Sequence, residues 1–239
     1  MRRGRMMRIT TQCLTALGIA YGAFAQQPAA PAAQGAGRQG GAPARAGRPP
    51  LFFREEWKQV AGGGEHPITP DAVANTSLEL KLYGASSKEI QLTGSATDES
   101  NPIHPWTGLC TSGCAVALRD KNNFADLSGL ARIRWTTKVS GFHQVRPVLK
   151  LADGTWLVGD HADGSPLDWL INDIALAEVR WLKLDIAAVV TKGNFVDKPD
   201  LTKVDEIGFV DLLPGSGHGA GGWIDVAAIE VYGKPVKRQ

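Results

Sequence analysis

The sequence predicts an all-β protein, its strands stacked as an antiparallel sandwich or jelly roll. Short runs that alternate apolar and polar residues follow one another from residue 77 to the C-terminus. Gly, Asp and Asn turns punctuate about eight to ten such runs, and no long apolar stripe of helical period appears. Many short, evenly spaced strands are the pattern of two stacked antiparallel sheets.

The N-terminus lies outside this pattern. In MRRGRMMRITTQCLTALGIAYGAFAQQ, Arg2, Arg3, Arg5 and Arg8 make a basic n-region and CLTALGIAYGAF a short apolar core. Ala23-Phe24-Ala25 then offers the small-x-small site that signal peptidase reads. Residues 1–25 are therefore expected to be a secretory signal peptide, too short and wrongly flanked for a spanning helix. Arg2-Arg3 lacks the residues that usually follow a twin-arginine pair. Cys13 starts the apolar core instead of marking the cleavage point, which argues against a lipid anchor. Residues 26–50 contain only Gln, Pro, Ala, Gly and Arg, with nothing large and apolar to offset chain entropy. They read as a disordered basic tether. Residues 51–239 then form one β-sandwich domain with its own core. No other segment approaches the length of a membrane span, so the expected location is secreted or periplasmic.

The first clear strand is SLELKLYG, with Leu78, Leu80 and Leu82 on one face. ARIRWTTKV follows, Ile133, Trp135, Thr137 and Val139 alternating with Arg132, Arg134, Thr136 and Lys138. VRPVLKLADGTWLVGD reads as a hairpin turning at Asp153-Gly154. Pro147 cannot donate to a ladder, which suggests an edge strand or a bulge. LDWLINDIALAEV has room for a turn or two of helix, VRWLKLDI is a strand with Leu182, Leu184 and Ile186 inward, and AAVVTKG is a short connection. VDEIGFVDL and IDVAAIEVYG close the series. Between them PGSGHGAGG places five glycines in the eight residues 215–222, with His218 at the centre.

Seven of the 26 basic residues precede Leu51 and no acidic residue does, which leaves 19 Lys+Arg against 24 Asp+Glu in residues 51–239. The folded part is mildly acidic, which argues against general nucleic-acid binding. Once Cys13 leaves with the leader, Cys110 and Cys114 remain in CTSGC. In an exported protein they are expected to form a disulfide pinning that turn. No histidines stand at the spacing a two-cysteine zinc site needs.

The segments FADLSGLARIRWTTK, LKLADGTWLVGD and VDEIGFVDLLPGSGHGAGGWIDVAAIEVYG resemble the galactose-binding-like jelly roll of many carbohydrate-binding modules. They are also similar to secreted proteins of soil and environmental bacteria built on that sandwich. The likeness spans roughly residues 75–235. Its most specific parts are the Asp-Leu-Ser-Gly turn before a basic strand and the closing Ile229-x-Val231-x-Gly233. Members of such folds bind sugars, anchor enzymes, mediate assembly or occasionally catalyse, so the fold alone does not give the function. The resemblance also implies a structural calcium where the first and last strands meet. Glu56 and Asp225, with Glu55 and Glu230, are the acidic residues at those ends, although no recognisable coordination spacing occurs.

Seven tryptophans in the chain suit sugar recognition, in which a flat ring covers the C–H face of a pyranose. Trp135 shares its face with Ile133 and Val139 and belongs to the core. Trp181, opposite Leu182 and Leu184 in parity, and Trp106, in the Pro-rich NPIHPWTG, are the expected platforms. Trp223 and His218 would complete the site at the glycine loop. If their strands are neighbours, Arg134, Arg146 and Lys183 would add a basic sheet face suited to uronic or sulfated glycans. The expected function is a secreted carbohydrate-binding protein, accessory to polysaccharide degradation, with a polysaccharide or oligosaccharide as partner. The alternative is a glycan-active lyase or hydrolase using His218, His161 and His143 with Asp residues or a metal. No H-E-x-x-H or G-x-S-x-G pattern supports it. A third reading is a structural or adhesive module without a small ligand.

Overall fold

The structure is a computed structural model and describes residues 47–164, 167–219 and 221–238. The expected signal peptide (1–25) and positions 26–46 of the expected tether lie outside the described residues. The strands are, in chain order, β1 (Leu51–Glu55), β2 (His66–Pro67), β3 (Leu78–Tyr83), β4 (Gln91–Thr93), β5 (His104–Trp106), β6 (Cys114–Asp120), β7 (Asn123–Asp126) and β8 (Arg132–Ser140). Then come β9 (Arg146–Leu151), β10 (Trp156–Gly159), β11 (Leu170–Ala175), β12 (Trp181–Asp185), β13 (Val190–Val196), β14 (Val204–Asp211), β15 (Trp223–Tyr232) and β16 (Lys234–Lys237). The described helical elements are three single turns of 3-10 helix.

These strands form the expected antiparallel jelly-roll sandwich. One sheet has seven strands in the order β11-β8-β15-β5-β4-β2, with β1 also paired to β15. The other has nine, ordered β13-β12-β10-β9-β14-β6-β3, with β7 paired to β14 and β16 to β7. Between the sheets lies the main core, where Ile133, Trp135, Ile229 and Val231 meet Leu118, Leu149, Leu157, Ile207 and Phe209. Each large side chain so buried contributes about 1.5–3 kcal/mol relative to exposure.

The alternation of β8 holds as read, with Ile133 and Trp135 fully buried and Arg132 and Arg134 half-buried on the outer face. Before it, the Asp126-Leu127-Ser128-Gly129 turn closes on the Asp126 carboxylate, which accepts from the Ser128 backbone N–H at 3.0 Å and hydroxyl at 2.6 Å. In the β9–β10 hairpin only Gly154 takes a positive φ. β9 is an interior strand, not an edge. Its Pro147 is tolerated because the ladder to β10 starts one residue later, at Val148 opposite Val158. LDWLINDIALAEV forms an edge strand followed by a 3-10 turn, where a helical turn or two was expected.

The nine-stranded sheet buries both faces, and this overturns one expectation. Leu182 and Leu184 lie in a second apolar cluster with Ala117, Val148, Trp156, Val158 and Val210, on the face away from the sandwich core. Trp181, of opposite parity, therefore points into the main core and is only 2% exposed. It is a core residue and not a platform.

Cys110 and Cys114 are both buried free thiols, not the expected disulfide. Cys110 Sγ donates to the Ser86 carbonyl at 3.8 Å. The Cys114 thiol is raised well above its ordinary value by its hydrogen bond with Cys110 and by burial. The turn between them is pinned by hydrogen bonds instead. The Ser112 N–H donates to Ser86 Oγ at 2.9 Å, and the Thr111 N–H to Glu89 Oε2 at 2.7 Å.

Candidate functional site

β15 runs beside β5, and Asp225 pairs with Trp106 across that ladder. Strand periodicity puts His104 and Trp106 on the same face of β5. On β15, Ile224 and Val226 face the core, so Trp223 and Asp225 face outward. A bulge between Val226 and Ala228 then resets the parity, and Ile229 and Val231 return to the core. The simple alternation that would place Trp223, Asp225, Ile229 and Val231 on one face is broken at Ala227. Insertion of one residue is what a bulge does, and it re-aims the side chains on one side of it.

The outward residues line a cleft of about 270 Å³ together with Glu65, Thr93, Asn101, Gly217 and His218. Trp106 forms its floor and is 7% exposed, more buried than its Pro-rich loop suggested, because the ring lies over Gly108. The rings of Trp106 and Trp223 are edge to face at 6.5 Å, and the His218 ring lies 4.8 Å from Trp106. His218 Nε2 is 3.3 Å from Glu65 Oε1 across the mouth. The expected Trp106, Trp223 and His218 thus meet at one place.

Polar groups converge there too. His104 Nδ1 lies 2.6 Å from the Pro102 carbonyl oxygen, which can only accept. Its Nε2 faces Asp225 Oδ1 at 3.4 Å. Trp223 Nε1 donates to Asp225 Oδ2 at 3.3 Å, whereas Oδ1 is buried without a hydrogen-bond partner. A buried polar atom left unsatisfied carries a desolvation cost. Beyond His104, the ring of Trp169 packs edge-on at 5.1 Å, and Lys138 Nζ lies 5.9 Å from that ring.

The glycine loop is packed against this site. Gly215 N–H donates to the Cys110 carbonyl and Gly217 N–H to the Gly108 carbonyl, both at 2.7 Å. A Cβ on Gly215 would fall 2.2 Å from the Gly108 carbonyl oxygen, and one on Gly222 would fall 1.9 Å from His143 Cδ2. The glycines allow close approach of backbone to its neighbours.

The other expected site residues lie elsewhere. Arg134 hydrogen-bonds Asp173 Oδ2 from Nε at 3.1 Å and from Nη2 at 2.7 Å. Arg146 donates to Gln144 Oε1 at 3.0 Å, and Lys183 is an exposed residue of β12. Arg134 belongs to the seven-stranded sheet and the other two to the nine-stranded sheet, so the expected common basic face does not form. His161 pairs with Asp163, and His143 is buried against Asp211 behind the glycine loop. The three alternative catalytic histidines therefore make no single constellation.

The implied calcium does not fit the residues present. Glu55 spends both oxygens on the backbone N–H groups of Trp57, Ala74 and Asn75, and Glu56 pairs with Arg54. Among the described residues, no group of three or more His, Cys, Asp or Glu side chains is placed to hold a metal ion. No helix among them is long and apolar enough to cross a membrane.

No protein-family model matches the chain, and no curated protein matches it. Solved structures do. A family 11 carbohydrate-binding module from Clostridium thermocellum, in complex with a β-1,3-1,4-mixed-linked tetrasaccharide, is 14% identical with a TM-score of 0.43. The match covers 74% of this chain and 100% of that one. The family 11 module of the cellulosomal cellulase Lic26A-Cel5E of the same organism is 14% identical with a TM-score of 0.39, covering 75% and 99%. An exo-β-agarase is 8% identical with a TM-score of 0.38, and the match covers 69% of this chain but 24% of the agarase. At such scores and identities these likenesses carry no weight for what this chain binds.

Proposed function

We propose that the protein is an exported carbohydrate-binding β-sandwich whose site is the cleft between β5, β15 and the glycine loop, acting beside polysaccharide-degrading enzymes. The observation that carries this reading is the convergence of Trp106, Trp223 and His218 on one cleft that Asp225 also lines. Indole surface covers the C–H face of a sugar ring, and Asn101, Thr93 and Glu65 take its hydroxyls. A mostly preformed concavity with aromatic walls and a few convergent polar groups is the usual form of a small-ligand site. Export rests on the N-terminal sequence and is tested by N-terminal sequencing of the secreted form, which should begin after Ala25.

The site is tested by titrating the tryptophan fluorescence of the protein with a panel of oligosaccharides. A saturable change that Trp223→Ala abolishes is the expected result. No change with any sugar sinks the reading, and the appearance of reducing ends or unsaturated sugars replaces it with the lyase or hydrolase alternative.

A further inference from the structure

We propose that Phe142 is a second aromatic contact for the same carbohydrate chain, one that makes the protein favour long glycans over short ones. The inference rests on the carbohydrate-binding reading and extends the site past the cleft. Phe142 is 95% exposed, whereas the next most exposed large apolar side chain among the described residues, Ile171, is 69% exposed. Among the described residues, the other rings that reach solvent lie against a cation or a second ring. Phe124, Phe195 and Tyr232 have the guanidinium groups of Arg238, Arg180 and Arg132 at 4.1, 4.4 and 4.0 Å from their centroids, and Trp223 meets Trp106. Phe142 meets neither. The turn that carries it is fixed on both sides. Gly141 takes a φ of +64°, and a Cβ there would fall 3.0 Å from Gly222 Cα and 3.1 Å from the Gly221 carbonyl oxygen. Ser140 Oγ donates to that same carbonyl at 2.9 Å. On the other side His143 is buried, its Nδ1 2.7 Å from Asp211 Oδ2. With both neighbours held, the backbone keeps the ring out in solvent.

Position joins this ring to the cleft. Ser140 pairs with Trp223 in the β8–β15 ladder, so the Cα atoms of Phe142 and Trp223 are within about 13 Å of each other. A short oligosaccharide bridges that span. Phe142 also lines a recess of about 180 Å³ with Gln144, Arg146 and Leu213. Arg146 donates to Gln144 Oε1, and no carboxylate pairs with it among the described residues. Its other N–H groups and the Gln144 amide N–H groups are therefore open to sugar oxygens. A flat ring beside an amide and a guanidinium can hold a pyranose by its C–H face and its hydroxyls together. One ring with this border is too small and too polar a patch for a membrane or a stable protein partner.

The test is calorimetric titration of the protein and of Phe142→Ala with di- and hexasaccharides of the cello, manno and galacturonate series. In the series that binds, the hexasaccharide should bind about tenfold more tightly than the disaccharide. Phe142→Ala should remove most of that margin. It should leave the disaccharide affinity and the urea midpoint as they were, because so exposed a ring supports no packing. Phe142→Trp should keep the margin and Phe142→Leu should lose it, since stacking needs a flat face. Equal affinity for both lengths overturns the inference. A variant that weakens both lengths alike also overturns it, because Phe142 would then act through the cleft. A margin that survives Phe142→Ala does the same and leaves carbohydrate binding standing. So does binding to phosphatidylcholine vesicles that Phe142→Ala abolishes while the oligosaccharide affinities stay intact. Binding of no oligosaccharide at all removes both readings together.

Discussion

His143 Nδ1 lies 2.7 Å from Asp211 Oδ2, and both side chains are buried between the end of β14 and the glycine loop. The same carboxylate oxygen accepts from the Thr107 hydroxyl at 2.7 Å, and that hydroxyl in turn accepts from the Ile224 N–H at 3.0 Å. The loops that carry Thr107 and His143 and the start of β15 are thereby tied to one buried acid, next in sequence to Trp106 and Trp223 of the proposed site. Asp211→Ala leaves the Thr107 hydroxyl and the His143 ring without their common partner, and we expect a loss of about 2–4 kcal/mol. Urea unfolding measures it. Amide exchange at 215–219 should accelerate in the same variant.

Trp181 and Trp223 should separate stability from binding. Trp181→Ala empties a core position and should cost about 3–5 kcal/mol in urea unfolding, with the affinity of the folded fraction unchanged. Trp223→Ala, at the half-buried rim, should cost about 1 kcal/mol or less and abolish the fluorescence response to sugar. A reversal of the two results would mean that the platform lies on the other sheet.

The glycine loop gives a comparison within one segment. Gly215→Ala and Gly222→Ala each force an added carbon within 2.2 Å or less of a neighbouring atom. Both should lower stability by about 1–3 kcal/mol and weaken ligand binding. In Gly219→Ala the nearest atom is 3.4 Å away, so the change should stay within about 0.5 kcal/mol. Thermal melts of the three variants decide it.

Cys110 and Cys114 should report as thiols. In the native domain of residues 51–239 they should resist a thiol reagent, since both are buried and the Cys114 thiol is raised. Two equivalents should appear on unfolding. Zero equivalents in denaturant would establish the bridge that the CTSGC spacing suggests.

Acid should unfold the protein partly through Asp205. Burial pushes its carboxyl up, but hydrogen bonds from Arg119 and Arg238 and the charge of Arg238 outweigh this, and the net shift is downward. A carboxylate depressed in the folded state stabilises it above the unfolded pKa of about 3.9, and this contribution is lost as the pH falls through the lower folded value. Asp205→Asn should therefore reduce stability near neutral pH and flatten its fall below about pH 4. Urea midpoints against pH provide the reading, and parallel curves for the two proteins would refute it.

The residues differ in how far local pattern could place them. Trp135 was legible as core because its neighbours at period two, Ile133 and Val139, are apolar. Trp181 was misread because the same rule assumes one buried face, and its sheet buries two. His104 was present in NPIHPW and shares parity with Trp106, a period-two signal sufficient to pair them. Asp225 was visible as an acid at a strand end, but His104, which faces it, stands 121 positions earlier in the chain.

By itself the sequence determined the all-β class, which residues of a strand share a face away from bulges, and the mild acidity of residues 51–239. These follow from short-range rules, because side-chain direction alternates at every residue and turn chemistry is local. The tertiary structure alone decided that Glu65, His104, Trp106, His218, Trp223 and Asp225 share one cleft, and that Arg134 and Lys183 do not share a face. Sheet order and the bulge at Ala227 set those outcomes. Both depend on which distant strands pair to bury their apolar faces, and no local run of residues specifies that.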